Sequence, residues 1–247
     1  MSATGDLVGW FELHDQERIR AALRAGTSAT ALINGKRPVD LLIEMYTRSP
    51  AFAGCLRVLL DAGASVGDPV LEALLLDDLP ALTASLASDA QTLNRRFSLP
   101  CAYTSLLGVS ALHVCAEYNS IRCARALLEA GLDVDVRADV DADGLGGHTP
   151  IFHAVNSNQN HCRPVLELLT AAGADLDIRL RGLVWGGGFE WETVVFDVSP
   201  ISYAQCGLYA QFHRREQDVY SNLDHLYQRR FGVALPFRNV PNKYLRS

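Results

Sequence analysis

Apolar residues between Gly108 and Val136 recur at the spacing of two short helices separated by a polar break. Ser110 suits an N-cap, Asn119 interrupts the pattern, and Gly131 supplies a residue that can end a helix in the left-handed conformation. Two sets of apolar residues each share one helix face: Ala111, Leu112, Cys115 and Ala116 in the first run, and Ile121, Ala124, Leu127 and Leu128 in the second. The pattern therefore predicts two helices joined by a turn.

The same pattern returns further along the chain. Residues 147–154 read Gly-His-Thr-Pro-Ile-Phe-His-Ala, and residues 168–177 read Leu-Leu-Thr-Ala-Ala-Gly-Ala-Asp-Leu-Asp. Thr149 is predicted to cap the helix, and Pro150 fits the first turn, where a backbone N–H is not needed. Ser110 and Thr149 therefore hold equivalent positions in two copies of one helix pair.

These two segments resemble the ankyrin repeat family. The family pattern runs Gly-x-Thr-Pro-Leu-His-x-Ala and later Leu-Leu-x-x-Gly-Ala-Asp-Val-Asn. The first copy here reads Gly-Val-Ser-Ala-Leu-His-Val-Cys-Ala and Leu-Leu-Glu-Ala-Gly-Leu-Asp-Val-Asp, with Ala111 in place of the family's Pro and Cys115 in place of Ala. The resemblance implies an α-solenoid that recognises proteins through its concave face and performs no chemistry.

Weaker copies of the pattern extend the prediction to most of the chain. The clearest repeats are residues 105–137 and 144–178, and partial repeats occupy residues 6–30, 34–67, 68–90 and 197–227. We therefore predict an all-α fold, an ankyrin-repeat α-solenoid of about five to six helix-turn-helix units over residues 1–227. Residues 228–247 carry basic and no acidic residues, and this C-terminal tail is expected to pack back on the acidic body.

Two segments interrupt the helical pattern. Residues 92–107 contain Pro100 and are predicted to form a long finger loop. Side chains alternate between two faces from Phe189 to Phe196, which suits a strand, and residues 183–185 can pair with it across the glycines at 186–188, which predicts a β-hairpin finger near 180–197. Its aromatic and acidic residues are either anchors for a partner or a flap folded onto the last repeat: Trp185, Phe189, Glu190, Trp191 and Glu192.

Composition narrows the function. The 247-residue chain is 49% hydrophobic and has a net charge of −6, which argues against a nucleic-acid surface because phosphate binding needs a concentrated positive field. The six cysteines include no Cys-x-x-Cys pair and indicate a reducing compartment. The sequence shows no export leader and no membrane-spanning run, so the cytoplasm is the expected location.

Residues with metal or catalytic chemistry do not form a convincing site. The run Asp139-x-Asp141-x-Asp143-Gly144 imitates the start of an EF-hand loop, but Pro150 stands where the bidentate glutamate belongs. The spacing of the residues His148, His153, His161 and Cys162 does not match a zinc site, and His113 and His153 are expected to bond to nearby backbone. No cofactor and no metal are predicted. An enzyme that uses His213 and Glu216, and a metal-regulated module that uses the aspartate run, remain the alternatives.

The predicted function is non-enzymatic binding of an unknown partner protein, as an adaptor or an inhibitor, with no role for nucleic acid or membrane. The candidate contacts are polar residues at the ends of the inner helices, which we expect to emerge into the concave groove: Glu117, Tyr118, Asn156, Ser157 and Asn158.

Overall fold

The structure is a computed structural model that describes residues 3–238, with side chains from Asp6 onward. Within this range the α-helices follow one another in six pairs. Their bounds are α1 (Ala3–Leu13) and α2 (Gln16–Arg24), α3 (Pro38–Glu44) and α4 (Phe52–Asp61), α5 (Pro69–Leu75) and α6 (Leu79–Ser88), α7 (Ala111–Tyr118) and α8 (Ile121–Glu129), α9 (Ile151–Val155) and α10 (Arg163–Ala171), and α11 (Pro200–Cys206) and α12 (Glu216–Phe231). Short 3₁₀ turns span Ala90–Asn94, Asn158–Asn160 and Ala210–Phe212.

The pairs stack along one direction. The two helices of each pair contact each other, and helices of one pair contact the matching helices of the next, as α7 does with α5 and α9, and α8 with α6 and α10. Each pair therefore buries its apolar residues against its neighbours, as in a solenoid. The buried apolar residues form a continuous core along the stack.

Local sequence explains where several helices begin. The carboxylate of Asp68 accepts the backbone N–H groups of Val70 and Leu71 and caps α5. Ser199 caps α11 through the backbone N–H of Ser202. The predicted cap at Thr149 is wrong, because its hydroxyl is buried and has no hydrogen-bond partner in the described structure.

The chain is not purely helical, because two antiparallel hairpins project from the helix pairs. The first joins β1 (Arg96–Leu99) to β2 (Leu106–Ser110), within the segment predicted to be a loop. The second joins β3 (Leu180–Trp185) to β4 (Thr193–Val198), where the alternation predicted a hairpin. The expected all-α fold therefore did not include β1 and β2, the two strands that precede α7.

The C-terminal end is helical beyond the predicted solenoid boundary, since α12 continues through Phe231. Arg230 pairs with Asp177, and the Arg238 guanidinium lies 4.8 Å from the Tyr220 ring centroid. The described part of the predicted tail therefore packs against the body. Residues 239–247, with the remaining basic residues of that prediction, lie outside the described residues. No helix between residues 3 and 238 combines the length and apolar character needed to cross a membrane.

Leu127 lies in α8 at the centre of the stack and is fully buried. Leu127→Ala is expected to lower the free energy of unfolding by about 2–5 kcal/mol and to separate the unfolding of the two halves. Urea unfolding followed by both circular dichroism and tryptophan fluorescence measures this. The half-buried neighbour Leu128→Ala is the control and should cost less. A single cooperative transition with an unchanged midpoint would show that Leu127 does not couple the halves.

Candidate functional site

Four of the five residues predicted at the inner-helix ends are buried, so the expectation that they emerge into a groove is wrong. Glu117, Tyr118, Asn156 and Ser157 are each less than 10% exposed, and Asn158 alone is half-buried. The helices α7 and α9 are flanked by neighbouring helices on both sides, which leaves their ends enclosed. These four side chains make internal contacts instead. The hydroxyl of Tyr118, for example, donates to the carbonyl of Ile43 at 3.2 Å.

Glu117 is the centre of what we call the buried polar network: Arg48, Glu117, His153, His148 and His113. Arg48 Nε donates to Glu117 Oε1 at 3.0 Å, and His153 Nδ1 donates to Glu117 Oε2 at 3.0 Å. The side chains of this Arg48 and Glu117 pair are 2% and 5% exposed. The guanidinium of Arg48 also lies 4.7 Å from the Tyr118 ring centroid, in cation–π geometry. Both carboxylate oxygens are therefore satisfied.

The histidines extend this network. His148 Nε2 lies 3.1 Å from His153 Nε2, so the N–H of one ring donates a hydrogen bond to the bare nitrogen of the other. His113 Nδ1 accepts the backbone N–H of Ser110 at 3.2 Å, which fixes its proton on Nε2. That Nε2–H donates to the carbonyl of His148 at 3.0 Å. The prediction that His113 bonds to backbone agrees with this geometry, whereas His153 bonds to side chains.

Burial governs the protonation of these groups. Desolvation, followed by the neighbouring histidines, holds the pKa of His148 and of His113 well below the ordinary value of 6.5. Burial alone would raise the pKa of Glu117, but the hydrogen bond from His153 and the charge of Arg48 outweigh it and lower that pKa. At neutral pH the network therefore contains neutral His113 and His148 and an ionised Glu117.

The second hairpin has a buried base and an exposed tip. The Trp185 ring stacks on Phe212 with centroids 4.2 Å apart and on Tyr103 with centroids 5.0 Å apart. At the tip, Phe189 and Trp191 stack on each other at 4.5 Å, with Phe189 exposed and Trp191 half-buried. Of the two alternatives, partner anchor or packed flap, Trp185 therefore fits the packed flap. The tip of the hairpin is available for contact.

The acidic residues of this tip, Glu190 and Glu192, are both exposed. Glu192 accepts the backbone N–H of Gly188 at 2.7 Å, which holds the turn closed. Gly186 has a φ of +69°, and a Cβ there would collide with the Trp191 indole. The glycine therefore permits the indole to lie across the turn.

The two hairpins and a loop enclose a cavity of about 920 Å³, which we call the finger groove. Four segments form most of its lining: residues 44–46 at the C-terminal end of α3, residues 98–108 in the first hairpin, residues 139–146, and residues 183–189 in the second hairpin. Lys36 and His148 complete the lining. Four apolar side chains on its rim are 38–63% exposed: Tyr46, Leu107, Val140 and Phe189. Exposed apolar side chains concentrated at a cavity indicate a binding surface.

The charged residues that line the groove are predominantly acidic. Lys36 and Glu44 neutralise each other through an ion pair of 2.6 Å. Asp139 and Asp141 also line the groove, and neither forms an ion pair within the described residues. The groove therefore favours a segment with apolar and basic side chains.

The buried polar network lies directly beneath this groove. Cys101 lines the groove, and its thiol lies 3.5 Å from Glu117 Oε1. His148 belongs to the buried polar network and also lines the finger groove. The carbonyl of Met45, another lining residue, accepts a hydrogen bond from Arg48. The network therefore fixes the groove floor, which is the role that the structure gives to Glu117.

The remaining candidate metal-binding and catalytic residues either stabilise a turn or lie apart from one another. Asp141 Oδ1 accepts the backbone N–H groups of Asp143 at 2.9 Å and Leu145 at 2.8 Å, so the aspartate run forms a turn. His213 and Glu216 are both exposed at the start of the last helix. Burial raises the pKa of Cys101 to about 12, which keeps its thiol protonated at neutral pH. Within residues 3–238, no three His, Cys, Asp or Glu side chains are grouped to hold a metal ion.

The sequence did not reveal the groove residues Tyr46, Leu107 and Val140. Each lies in a segment without helical periodicity, so no helical pattern marks these three residues as exposed apolar positions. The available signal was the alternation of Phe97 and Leu99 in β1, both of which are buried. Recognising that hairpin would have placed the exposed Leu107 on a finger.

Comparison with known proteins matches the central part of the chain to ankyrin repeats. The family model for ankyrin repeats (3 copies) matches residues 72–179. The chain is similar to the crystal structure of the human ASB11 ankyrin repeat domain, at 20% identity, with a TM-score of 0.37, covering 87% of this chain and 81% of that one. It is also similar to EF0377, an ankyrin repeat protein, at 20% identity, with a TM-score of 0.40, covering 92% of this chain and 98% of that one. No curated protein matches the chain.

Proposed function

Because residues 72–179 are ankyrin repeats, we propose that this chain is a non-enzymatic interaction module that holds a segment of a partner protein in the finger groove. The observation that supports this most directly is the set of exposed apolar side chains around the groove. Ankyrin repeats generally mediate protein–protein interaction, which agrees with a groove formed by their projecting loops. The proposed binding site is therefore the finger groove and not the buried ends of the inner helices.

The groove also suggests the chemistry of the partner. Leu107 on β2 and Val140 on the loop of residues 139–146 offer apolar contact, and Phe189 adds a third from the second hairpin. Asp139 and Asp141 add negative charge to the lining. A partner segment with apolar anchors and at least one Lys or Arg side chain satisfies both features.

Leu107→Asp is expected to abolish partner binding, because it places a charge among the apolar contacts. Affinity capture from the source cell, with the wild-type chain and the variant as baits, measures the loss by quantitative mass spectrometry. Leu32→Asp is a matched control, since Leu32 and Leu107 are both 63% exposed and Leu32 does not line the groove. A partner captured equally by all three baits would exclude the finger groove as its site.

A further inference from the structure

The second hairpin ends in a strand with one free edge. Both edges of β3 are occupied, one by β4 and the other by residues outside the hairpin. On that second edge the carbonyl of Gly182 accepts the N–H of Gly146, and just beyond β3 the N–H of Gly186 donates to the carbonyl of Tyr103. No strand within the described residues pairs with the other side of β4. An unpaired edge presents backbone donors and acceptors that another strand can use.

The register identifies the groups at this edge. Gly182 is opposite Phe196, and Val184 is opposite Val194. Since the carbonyl of Gly182 points away from β4 to Gly146, Gly182 and Phe196 form a non-hydrogen-bonded pair, and the alternation of an antiparallel ladder gives Val184 and Val194 the same status. The N–H and C=O groups of Val194 and Phe196 therefore point toward the free edge.

The side chains of these two residues lie on an exposed apolar face. Val194 is 37% exposed and Phe196 is 67% exposed. Val184 lies beside Val194 on the same face and lines the finger groove. The apolar lining of the groove therefore continues across the hairpin to the free edge of β4.

Charge at the edge favours a basic occupant over a second copy. Glu190 and Glu192 precede β4, and neither forms an ion pair among the described residues. If β4 paired with β4 of a second copy, each copy would bring the carboxylates of Glu190 and Glu192 to the interface. Neither copy would bring an unpaired cation to neutralise them. Arg179 is already paired with Asp197 at 3.0 Å, at the other end of the strand.

We propose that β4 accepts an extended segment of the partner protein as an added antiparallel strand. Two apolar side chains of that segment, spaced i and i+2, lie beside Phe196 and Val194, and a Lys or Arg follows them near Glu190 and Glu192. This inference rests on the proposed function, because the same segment continues into the finger groove.

A phage-displayed library of random 12-residue peptides tests the chemistry of the segment. Selection on the wild-type chain is expected to enrich apolar-x-apolar sequences followed within two residues by Lys or Arg. Enrichment of helical spacing, enrichment of acidic residues, or the absence of any consensus would overturn the proposal. Concentration-dependent dimerisation of the chain without peptide, measured by sedimentation, would identify a second copy as the occupant and would also overturn it.

Val194→Pro tests the binding mode with a selected peptide. Proline removes the outward N–H of Val194 without removing a bond to β3, and edge strands tolerate it there. Affinity is expected to fall at least about fivefold, whereas Val194→Thr, which keeps the N–H, should bind within about threefold of wild type. Equal affinities for both variants would overturn strand addition, with the melting temperature reporting whether each is folded.

Hydrogen exchange of the unmodified chain gives a second readout. Bound peptide is expected to slow exchange at the amides of Val194 and Phe196, while unchanged exchange at both would overturn strand addition. The two proposals fail differently. If Leu107→Asp abolishes peptide binding but Val194→Pro does not weaken it, the groove stands and strand addition fails; if neither variant weakens binding, both fail.

Discussion

Replacing Glu117 with leucine is expected to lower the free energy of unfolding by about 3–5 kcal/mol. The substitution leaves the buried Arg48 guanidinium without its carboxylate and leaves His153 Nδ1 without an acceptor. A buried charge that loses its partner retains its desolvation cost and has no compensating attraction. Chemical denaturation with urea, at a pH where Glu117 is ionised, measures the loss.

The double variant Arg48→Met with Glu117→Leu separates this effect from ordinary packing. It removes both charges, so its loss of stability should be smaller than the sum of the two single losses by about 2 kcal/mol or more. Glu167→Leu is the control carboxylate, because Glu167 is 54% exposed and pairs with Arg163 on the surface. Its loss should remain below about 1 kcal/mol. An equal loss for Glu117→Leu and Glu167→Leu would contradict the buried ion pair.

Glu117 also shows why the sequence misplaced the binding residues. All eight residues of α7 are buried, so the helix has no polar face to distinguish from an apolar one. The partner Arg48 is 69 positions away in the chain, in the turn before α4. The sequence alone therefore favours an exposed Glu117, because the Arg48 charge that makes its burial possible is far away in the chain.

The repeats themselves were predictable because their signals are local. Ser110 lies at the start of α7 and Gly131 just after α8, and the apolar spacing between them needs no distant contact. The second hairpin was predictable for the same reason, since an alternating run that begins at Phe189 follows the glycines at 186–188 and an apolar segment precedes them. The first hairpin was missed because β1 has four residues and its pairing shifts register between Phe97 and Leu99.

The finger groove could not be predicted in this way. Its walls come from residues 98–108, 139–146 and 183–189, which belong to three different connections between helices. No periodic pattern relates these loops. Their proximity follows from the stacking of the helix pairs, which brings equivalent loops side by side.

Acid is expected to destabilise the fold, starting below pH 6.5. Burial, as the largest cause, lowers the pKa of His14 from 6.5 to about 4 and holds the pKa of His113 and His148 well below 6.5. As the pH falls below 6.5, these three histidines therefore bind protons in the unfolded chain but not in the folded chain. The contribution of these neutral histidines to stability is complete above pH 6.5 and decreases until the folded pKa is reached, which for His14 is about 4. Glu117 adds a further loss at lower pH, because its lowered folded pKa stabilises the fold only while the carboxylate is ionised.

Each fully buried histidine can contribute a slope of up to about 1.4 kcal/mol per pH unit. Urea unfolding at intervals between pH 7.5 and 5 should therefore show stability falling with increasing steepness below pH 6.5. His148→Gln removes one such group and should reduce the slope even if it lowers the stability at every pH. His213→Asn, which replaces an exposed histidine, is the control substitution. Stability that stays constant from pH 7 to pH 5, or a His148→Gln slope equal to that of wild type, would show that these histidines are not held neutral by the fold.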